Sequence, residues 1–321
     1  TGVQVNYSEV IQDDPSWFAQ IQPQLAANRS IGYDLMVVTN GKEFAELVQL
    51  GYLAPLDHSK LPNFTANAGA KYKQEAFDPG NQYSIPWASG ISGIAYDPDK
   101  ITDPVTSLAA LWDEKYKGKI GMFSDPQELG NFGMLKLGIA PEQSTSADWK
   151  KAADELKKQK PLVRKYYDQG YIDDLGNGDI WICQAWSGDI YQKNVSDGTN
   201  LKFVVPTEGA TLWTDNMMIP ITADNPVGAI TLMDFFYQPD IAGSLAEYIN
   251  YITPVPAAKQ QIQSDADAAS GDDKAALQDL VNSELIFPTD ATYGKLHYYY
   301  SAKNTQDQHD YDDNFVPIVS G

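Results

Sequence analysis

An indole and a carboxylate two residues apart are the first pair in this sequence whose types and spacing could do chemistry. In the segment "ATLWTDNMMIPITADNP", residues 210–226, Trp213 precedes Asp215 by two residues and an apolar run follows. If the segment is a β-strand, side chains two residues apart point to the same side of the sheet. A carboxylate inside an apolar strand must find a partner or shift its pKa, and an aromatic face beside it suits an organic cation. The pair therefore predicts a site for a positively charged organic group.

Two further segments place acids beside aromatic residues or at the start of a helix. In "FSDPQELG", Asp125 and Glu128 lie at the end of a strand and on the first turn of a helix. The same spacing matches a capping box, and taken alone it favours that interpretation. In "QAWSGDIY", Trp186 precedes Asp189 by three residues, and "SGD" is typical of a turn that leaves the strand. Trp186 and Trp213 are equally compatible with positions in a plain hydrophobic core.

The elements that must position these residues follow an α/β pattern. Short apolar strands alternate with amphipathic helices, which predicts a mainly parallel sheet with helices on its faces. At 321 residues the chain exceeds the usual size of one domain, so two lobes are favoured. Open α/β sheets bind ligands outside the carboxyl ends of their strands, so the three segments are expected to converge on one cleft. The predicted strands are residues 3–9, 33–39, 90–96, 119–123, 179–187, 201–205 and 212–220.

Several helix boundaries can be predicted from local chemistry. An Asp or Asn followed by Pro places a capping side chain just before a ring that fixes φ at the first helical position. Residues 146–160 have one apolar helical face, whereas Pro23 predicts a kink or a break in the first helix. The acidic segment 264–274 predicts an exposed loop or a helix end. The predicted caps are Asp14, Asp125 and Asn225, and the apolar face consists of Trp149, Ala152, Ala153 and Leu156.

The composition excludes several classes of protein. Forty-three acidic residues against 23 basic ones give a net charge of −20, which argues against nucleic-acid or anionic-membrane partners. The same charge would attract a cationic ligand, although excess acid often serves only solubility. No apolar run approaches the roughly 18 residues of a membrane span, which predicts a soluble chain. The single Cys183 excludes a disulfide framework and is typical of a buried small hydrophobic residue.

The sequence also lacks the common enzyme motifs. It contains no GxSxG, GxxxxGK[ST], GxGxxG or HExxH, and its three histidines are far apart. No cofactor and no metal site is therefore predicted. A glycosidase that uses paired carboxylates stays open at this point, because only geometry can judge pairs of Asp and Glu in an acidic chain.

The sequence resembles the polyamine-binding substrate-binding proteins of ABC transporters, the spermidine and putrescine receptors. The segments "FAQIQPQLAA", "IGYDLMVVT", "LDHSKLPNF", "YSIPW", "LAALWDEKYKGKI", "NMMIP" and "YITPVPAA" stand in that family's order and spacing over almost the whole chain. This resemblance implies a type II periplasmic-binding-protein-like fold, in which two α/β lobes are joined by a hinge and the ligand cleft lies between them. Lobe 1 would comprise residues 1–95 and 222–321, with the C-terminal tail contacting lobe 2, and lobe 2 would comprise residues 96–221.

The resemblance also implies a role for individual residues. Asp125 and Glu128 would receive one ammonium group, and Asp215 would hold another. Trp186 and Trp213 would line the hydrocarbon chain between them, while a tyrosine would close the pocket. The full expected ligand-binding set is Thr39, Trp87, Asp125, Glu128, Trp186, Asp189, Trp213, Asp215 and Tyr251.

Three features depart from the family pattern. Gly41 stands two residues after Thr39, where the family usually has an aromatic residue, which predicts a more open wall. Asp189 is an additional acid where the polyamine receptors have an uncharged residue, so it would recruit an extra amine or face solvent. The chain begins at "TGVQVNY", which looks like the strand after the family's first one; the first strand is expected upstream, and its omission would weaken or abolish binding.

The resemblance implies a receptor that acts outside the cytoplasmic membrane and not an enzyme. It would reach the periplasm or the extracellular face of the cytoplasmic membrane through a signal peptide, with lipid anchoring left open. It would deliver its ligand as a monomer to the permease subunits of an ABC importer. Three alternatives remain: a sugar receptor of the same fold, a ferric-ion receptor using Tyr298, Tyr299 and Tyr300, and the glycosidase. Those tyrosines are more consistent with packing on the lobe surface, with one reaching the cleft.

Overall fold

The structure is a computed structural model that describes residues 4–320 of the chain. Within that range a mixed sheet is covered by α-helices and connected by short 3-10 turns. The strands are β1 (Met36–Thr39), β2 (Ser84–Tyr96), β3 (Ile120–Phe123), β4 (Val163–Tyr167), β5 (Ile182–Trp186), β6 (Lys202–Val204), β7 (Ala210–Met218) and β8 (Leu296–His297). The helices are α1 (Asp14–Ala26), α2 (Lys42–Gln49), α3 (Pro62–Asn67), α4 (Pro126–Lys136), α5 (Ser146–Gln159), α6 (Tyr171–Gly176), α7 (Ser187–Asp197), α8 (Pro226–Phe235), α9 (Pro239–Ile249), α10 (Ala258–Ala268), α11 (Gly271–Asn282), α12 (Asp290–Tyr293) and α13 (Thr305–Ser320).

The sheet has the strand order β1-β7-β2-β5-β3-β4, with β6 paired to β2 and β8 paired to β7. β7 runs antiparallel to β1 and β2, and β2 runs antiparallel to β5 and β6. Only the β3–β4, β3–β5 and β7–β8 pairs are parallel among the described strands. The expectation of a mainly parallel sheet is therefore wrong. One long strand carries the chain across the middle of the molecule and another brings it back, so the two run in opposite directions.

The pairing register of the two central strands, β2 and β7, sets the spacing of the side chains along them. After a bulge between Pro86 and Ala88 on β2, Ala88 faces Asp215, Gly90 faces Trp213, and Ser92 faces Thr211. Residues directly opposite in an antiparallel pair share a face, so these side chains follow one another along one side of the sheet. β2 is buried along almost its whole length because packed elements cover both of its faces.

The four largest hydrophobic cores fall into two groups at opposite ends of β2 and β7. We call the first lobe the part built on the cores around α1, α2, β1, α3 and α8, and the second lobe the part built on the cores around α4, α5, β3 and α6. The C-terminal helix α13 packs against α4 and α5, and its Tyr311, Phe315 and Ile318 are buried in the second-lobe core.

Most predicted elements are present, but two differ in physical detail. Residues 4–9 form no strand, and Val5 and Tyr7 are exposed there, because no neighbouring strand pairs with them; residue 3 lies outside the described range. α1 continues through Pro23, so of the predicted kink or break the break is wrong; this proline lies in the last turn and removes one N–H donor from the helix. β4 and β8 were not predicted, since β4 is largely exposed and polar and β8 has two residues.

The predicted caps are correct at Asp125 and Asn225, whose side chains accept N–H groups of the first turn. At the first helix the cap is Asp13, and Asp14 is the first helical residue. All four residues predicted for the apolar face of α5 are buried. Residues 264–274 form the end of α10 and the start of α11, as expected. Within residues 4–320, no helix combines the length and apolar character needed to cross a membrane.

Candidate functional site

Asp215 lies on β7 near the middle of the sheet, opposite the last residue of the first-lobe strand β1. Thr39, opposite it on β1, donates its hydroxyl hydrogen to Asp215 Oδ1 at 2.6 Å. The backbone N–H of Thr39 is donated to Asp14 Oδ2 at 3.1 Å. Burial raises the pKa of Asp215 to about 6, although the Thr39 hydroxyl opposes the shift. Burial, followed by the negative charge of Asp215, raises the pKa of Asp14 to about 7.

Trp213 lies two residues along the same strand face. Its indole occupies the space above Gly90, so closely that a Cβ at residue 90 would be 2.1 Å from Cζ2 of the ring. The Tyr251 ring packs against it with centroids 5.3 Å apart, and Trp213 is 8% exposed. The prediction that Trp213 and Asp215 share the face of a strand is confirmed by the pairing register of β7.

Glu128 lies on the first turn of α4, and its carboxylate accepts hydrogen bonds from three donors in distant parts of the chain. Its Oε1 accepts the hydroxyls of Ser92 and Tyr299, each at 2.6 Å, and the indole N–H of Trp186 at 3.0 Å. Burial raises the pKa of Glu128 to about 7, while these hydrogen bonds act in the opposite direction. Asp125 does cap the helix, accepting the Glu128 N–H at 2.7 Å. The capping-box interpretation is therefore half correct, because the Glu128 carboxylate faces the sheet.

Trp186 ends β5 directly opposite Ser92. Its ring packs on Phe123 with centroids 4.5 Å apart and planes inclined by 30°, so the indole N–H is fixed towards Glu128. The amide of Gln184, two residues earlier on the same face, donates to the backbone oxygen of Glu128 at 3.0 Å. β5 thus donates hydrogen bonds to both the backbone oxygen and the carboxylate of Glu128.

Asp189 does not project from a turn, so that expectation is wrong, while its recruitment of an extra amine stays a prediction. The "SGD" segment is the first turn of α7, which begins at Ser187 directly after the strand. The half-buried Asp189 carboxylate accepts the hydroxyls of Tyr251 at 2.7 Å and Tyr171 at 2.8 Å. A Cβ at Gly188 would be 2.5 Å from the Tyr251 ring. Tyr251, which follows α9, therefore joins Trp213 to the start of α7.

Gly41 behaves differently from the expectation, whereas the ligand-binding role of Trp87 stays a prediction. Trp87 occupies the bulge of β2, is half-buried and packs against the first-lobe core. The wall at Gly41 is not more open: the side chain of Gln127 fills the place, and a Cβ at residue 41 would be 2.6 Å from Gln127 Oε1. The missing side chain is replaced by a residue from α4.

Four residues of the site were not predicted. Ser92 becomes visible only through the pairing register, and Asp14 was assigned to capping. Tyr299 belongs to the tyrosine run, in which one member was expected to reach the cleft. No sequence pattern pointed to Glu43, which lies in the first turn of α2. Burial, followed by the charge of Asp125, raises the pKa of Glu43 to about 8.

The acids of the site lack cationic partners. Within residues 4–320, no ion pair involves Asp14, Glu43, Asp125, Glu128 or Asp215. In the same range, no group of three or more His, Cys, Asp or Glu side chains could hold a metal ion. Two surface concavities of about 220 and 510 Å³ lie elsewhere, around residues 103–116 and on α5. Buried and half-buried carboxylates that form no ion pair favour a cation.

The acids are spaced along the sheet with the indole between them. Ala88, opposite Asp215, and Ser92, which binds Glu128, are four residues apart on β2, or roughly 13 Å along the strand. Trp213 lies opposite Gly90, midway between these positions. The arrangement presents a carboxylate at each end and an aromatic surface in the middle.

Comparison with known proteins identifies the family. The bacterial extracellular solute-binding protein family matches residues 31–277. The chain belongs to this family. The spermidine/putrescine-binding periplasmic protein of Escherichia coli is 32% identical over 262 residues, which are 81% of this chain and 73% of that protein. The putrescine/cadaverine-binding protein of Pseudomonas aeruginosa is 32% identical over 262 residues, 78% of this chain and 73% of that protein.

Solved structures show the same fold. A putative spermidine/putrescine ABC transporter protein from Listeria monocytogenes superposes with a TM-score of 0.82 at 24% identity, covering 99% of this chain and 91% of that one. The spermidine/putrescine ABC transporter substrate-binding protein of Streptococcus pneumoniae gives 0.80 at 25% identity, with the same coverage. The expected two-lobe α/β fold of this solute-binding protein is therefore confirmed.

Proposed function

We propose that this solute-binding protein is a receptor that captures a spermidine- or putrescine-like polyamine between its lobes and delivers it to an ABC importer. The observation that carries the proposal is the spatial order of a carboxylate, an indole and a second carboxylate along one face of the sheet. These groups belong to Asp215, Trp213 and Glu128. A polyamine has fixed ammonium groups separated by methylenes. It therefore needs acids at its ends and apolar walls between them.

The strength of such a site can be assembled from ordinary contacts. A micromolar receptor needs about 8 kcal/mol of net binding free energy. Cation–π contacts of about 0.5–2 kcal/mol, charge-assisted hydrogen bonds of about 1.5–3 kcal/mol and burial of about 0.8 kcal/mol per methylene supply that sum after the costs of association. No single contact has to dominate.

The names of the relatives support this choice of ligand and place of action, since those from Escherichia coli and Pseudomonas aeruginosa are named for binding spermidine, putrescine or cadaverine. The receptor would act outside the cytoplasmic membrane as a monomer, without turnover of its ligand. Its first lobe would comprise residues 1–95 and 222–321, with the C-terminal tail packed on the second lobe, and its second lobe would comprise residues 96–221. The lobes would close by hinge motion around β2 and β7. The permease subunits of the importer would then recognise the closed form.

The contacts of the tyrosine run disfavour the ferric-ion alternative. Tyr299 donates its hydroxyl to Glu128, whereas the ring of Tyr300 packs on Trp149 with centroids 4.9 Å apart. Adjacent tyrosines that serve different partners do not form one metal site. A sugar receptor would also use indoles and acids, but it would not need several carboxylates whose pKa values are raised by burial and that form no ion pair.

A thermal-shift panel of putrescine, spermidine, spermine, oligosaccharides and ferric iron tests the proposal. Polyamines should raise the melting temperature and perturb tryptophan fluorescence, because Trp186 and Trp213 flank the acids. If polyamines at millimolar concentration change neither quantity, the proposal fails. A rise with oligosaccharide alone, or a visible charge-transfer band with iron, would identify the corresponding alternative. Release of a cleaved product from a glycoside would indicate the hydrolase.

A further inference from the structure

One ion pair connects two elements that belong to different hydrophobic cores. Lys42 Nζ lies 2.6 Å from Asp312 Oδ2, and both side chains are only partly exposed, at 33% and 24%. Lys42 begins α2, whose Phe44 and Leu47 are buried in the first-lobe core. Asp312 lies on α13, whose neighbouring Tyr311 is buried in the second-lobe core. The pair therefore bridges the two lobes.

The same junction contains a second link that depends on Gly41. Gln127, on the first turn of α4, accepts the backbone N–H of Lys42 at 3.4 Å and donates its amide to the backbone oxygen of Tyr300 at 3.2 Å. The Gln127 side chain can reach this position because residue 41 has no Cβ, which would be 2.6 Å from Gln127 Oε1. A larger residue at position 41 would hold α2 away from α4 and α13.

We propose that Lys42 and Asp312 form an inter-lobe latch that stabilises the closed form and sets the residence time of the bound ligand. The two residues act as positioning residues, since neither belongs to the acid and indole set of the site. An ion pair that exists only when the lobes are together favours the closed form by its own free energy. Breaking it shifts the equilibrium towards the open form and speeds ligand release, while the encounter rate of the open form stays the same.

The role of the latch in ligand release rests on the proposed function. The first test is therefore made without ligand, so that its outcome does not depend on which ligand binds. Spin labels on cysteines introduced at Leu50, after α2, and Leu137, after α4, would report the distance between the lobes; both positions are exposed. Native Cys183 is fully buried and should remain unlabelled. Lys42→Met, Asp312→Asn and the double variant should all shift the distance distribution to longer values by the same amount. The reversed pair, Lys42→Asp with Asp312→Lys, should restore the wild-type distribution and guards against a variant that fails to fold.

Lys151→Met is the matched control, since it removes the same charge from a pair with Asp148 that lies within α5. It should leave the distances unchanged. A wild-type distribution in either single latch variant, or additive shifts in the double variant, would overturn the latch.

The second measurement is spermidine release by stopped-flow fluorescence. Each single latch variant should release spermidine about three- to fivefold faster with an unchanged association rate, in keeping with the strength of partly exposed ion pairs. An equal change in Lys151→Met, or a slower association with normal release, contradicts the latch. If spermidine does not bind the wild-type protein, the proposed function fails for that ligand, and the distance measurement still decides whether the latch exists.

Discussion

Trp213 lies directly across Gly90, the residue that faces it on the neighbouring strand. The two are midway between Asp215 at one end of the site and the Ser92–Glu128 hydrogen bond at the other. Residue 90 has to lack a side chain for the indole of Trp213 to occupy this position. A glycine thus shapes the wall of the site without contacting anything through a side chain of its own.

Replacing Gly90 with alanine should weaken spermidine binding by at least about tenfold. The added methyl group would meet the indole at 2.1 Å and push it into the space between the acids. Isothermal titration calorimetry gives the affinity. Gly243→Ala is the control, because its Cβ would have its nearest neighbour at 3.4 Å, an ordinary contact. Equal affinities for the wild type and the Gly90 variant would show that the position of the indole does not matter.

Asp215→Asn should lower polyamine affinity by at least about tenfold without unfolding the protein. The amide keeps the shape of the side chain but removes the negative charge that an ammonium group would meet. Calorimetry measures the affinity, and circular dichroism the melting temperature. Asp154→Asn, on the exposed face of α5, removes the same charge far from the site. Unchanged affinity in the Asp215 variant would refute the role of this carboxylate.

Tyr299→Phe should weaken binding about tenfold at neutral pH. The hydroxyl stabilises the ionised form of Glu128, so its removal should raise the pKa of that carboxyl further and move the pH profile of binding upwards. The affinity should be measured from pH 5 to 9. Tyr300→Phe is the matched control, because the hydroxyl of Tyr300 is bonded to Asp307. Identical pH profiles for both variants would contradict a role of Tyr299 through Glu128.

The protein should lose stability, and gain polyamine affinity, as the pH rises from 5 to 8. Burial raises the pKa values of Asp215 to about 6, of Asp14 and Glu128 to about 7 and of Glu43 to about 8, from ordinary values of 3.8 for Asp and 4.5 for Glu. The folded chain therefore binds more protons than the unfolded chain in this window, so unfolding becomes easier as they are lost. A polyamine prefers the ionised acids, and its binding should release protons.

Melting temperatures with and without spermidine across this range test both statements. The melting temperature without ligand should fall with pH, and the increase caused by spermidine should grow. A flat pH profile for both quantities would mean that the acids are ionised throughout.

The parts of the site that were predictable are those encoded locally. Trp213 and Asp215 are two residues apart on one strand, and the alternation of side chains alone puts them on one face. Asp125 before Pro126 is a local cap and was found for the same reason. The resemblance to a known family then supplied the pairing of distant segments.

The remaining parts depend on contacts that no local pattern reports. Glu128 meets Ser92 and Tyr299 only because α4, β2 and the segment after β8 come together in space. The hydrogen bonds of Asp189 could not be predicted either, because its two tyrosine partners are 18 and 62 residues away. The direction of the strands was also misjudged, since short apolar runs look the same in parallel and antiparallel sheets.

The long pairing of β2 with β7, interrupted by the bulge between Pro86 and Ala88, has a mechanical consequence. Two strands hydrogen-bonded along their length resist sliding past one another, because a shift by one residue would turn each side chain to the opposite face. The two paired strands can still twist and bend as a unit. Movement of one lobe relative to the other would thus be a torsion of this pair of strands. Their backbone amides should exchange slowly with deuterium in both the open and the closed form.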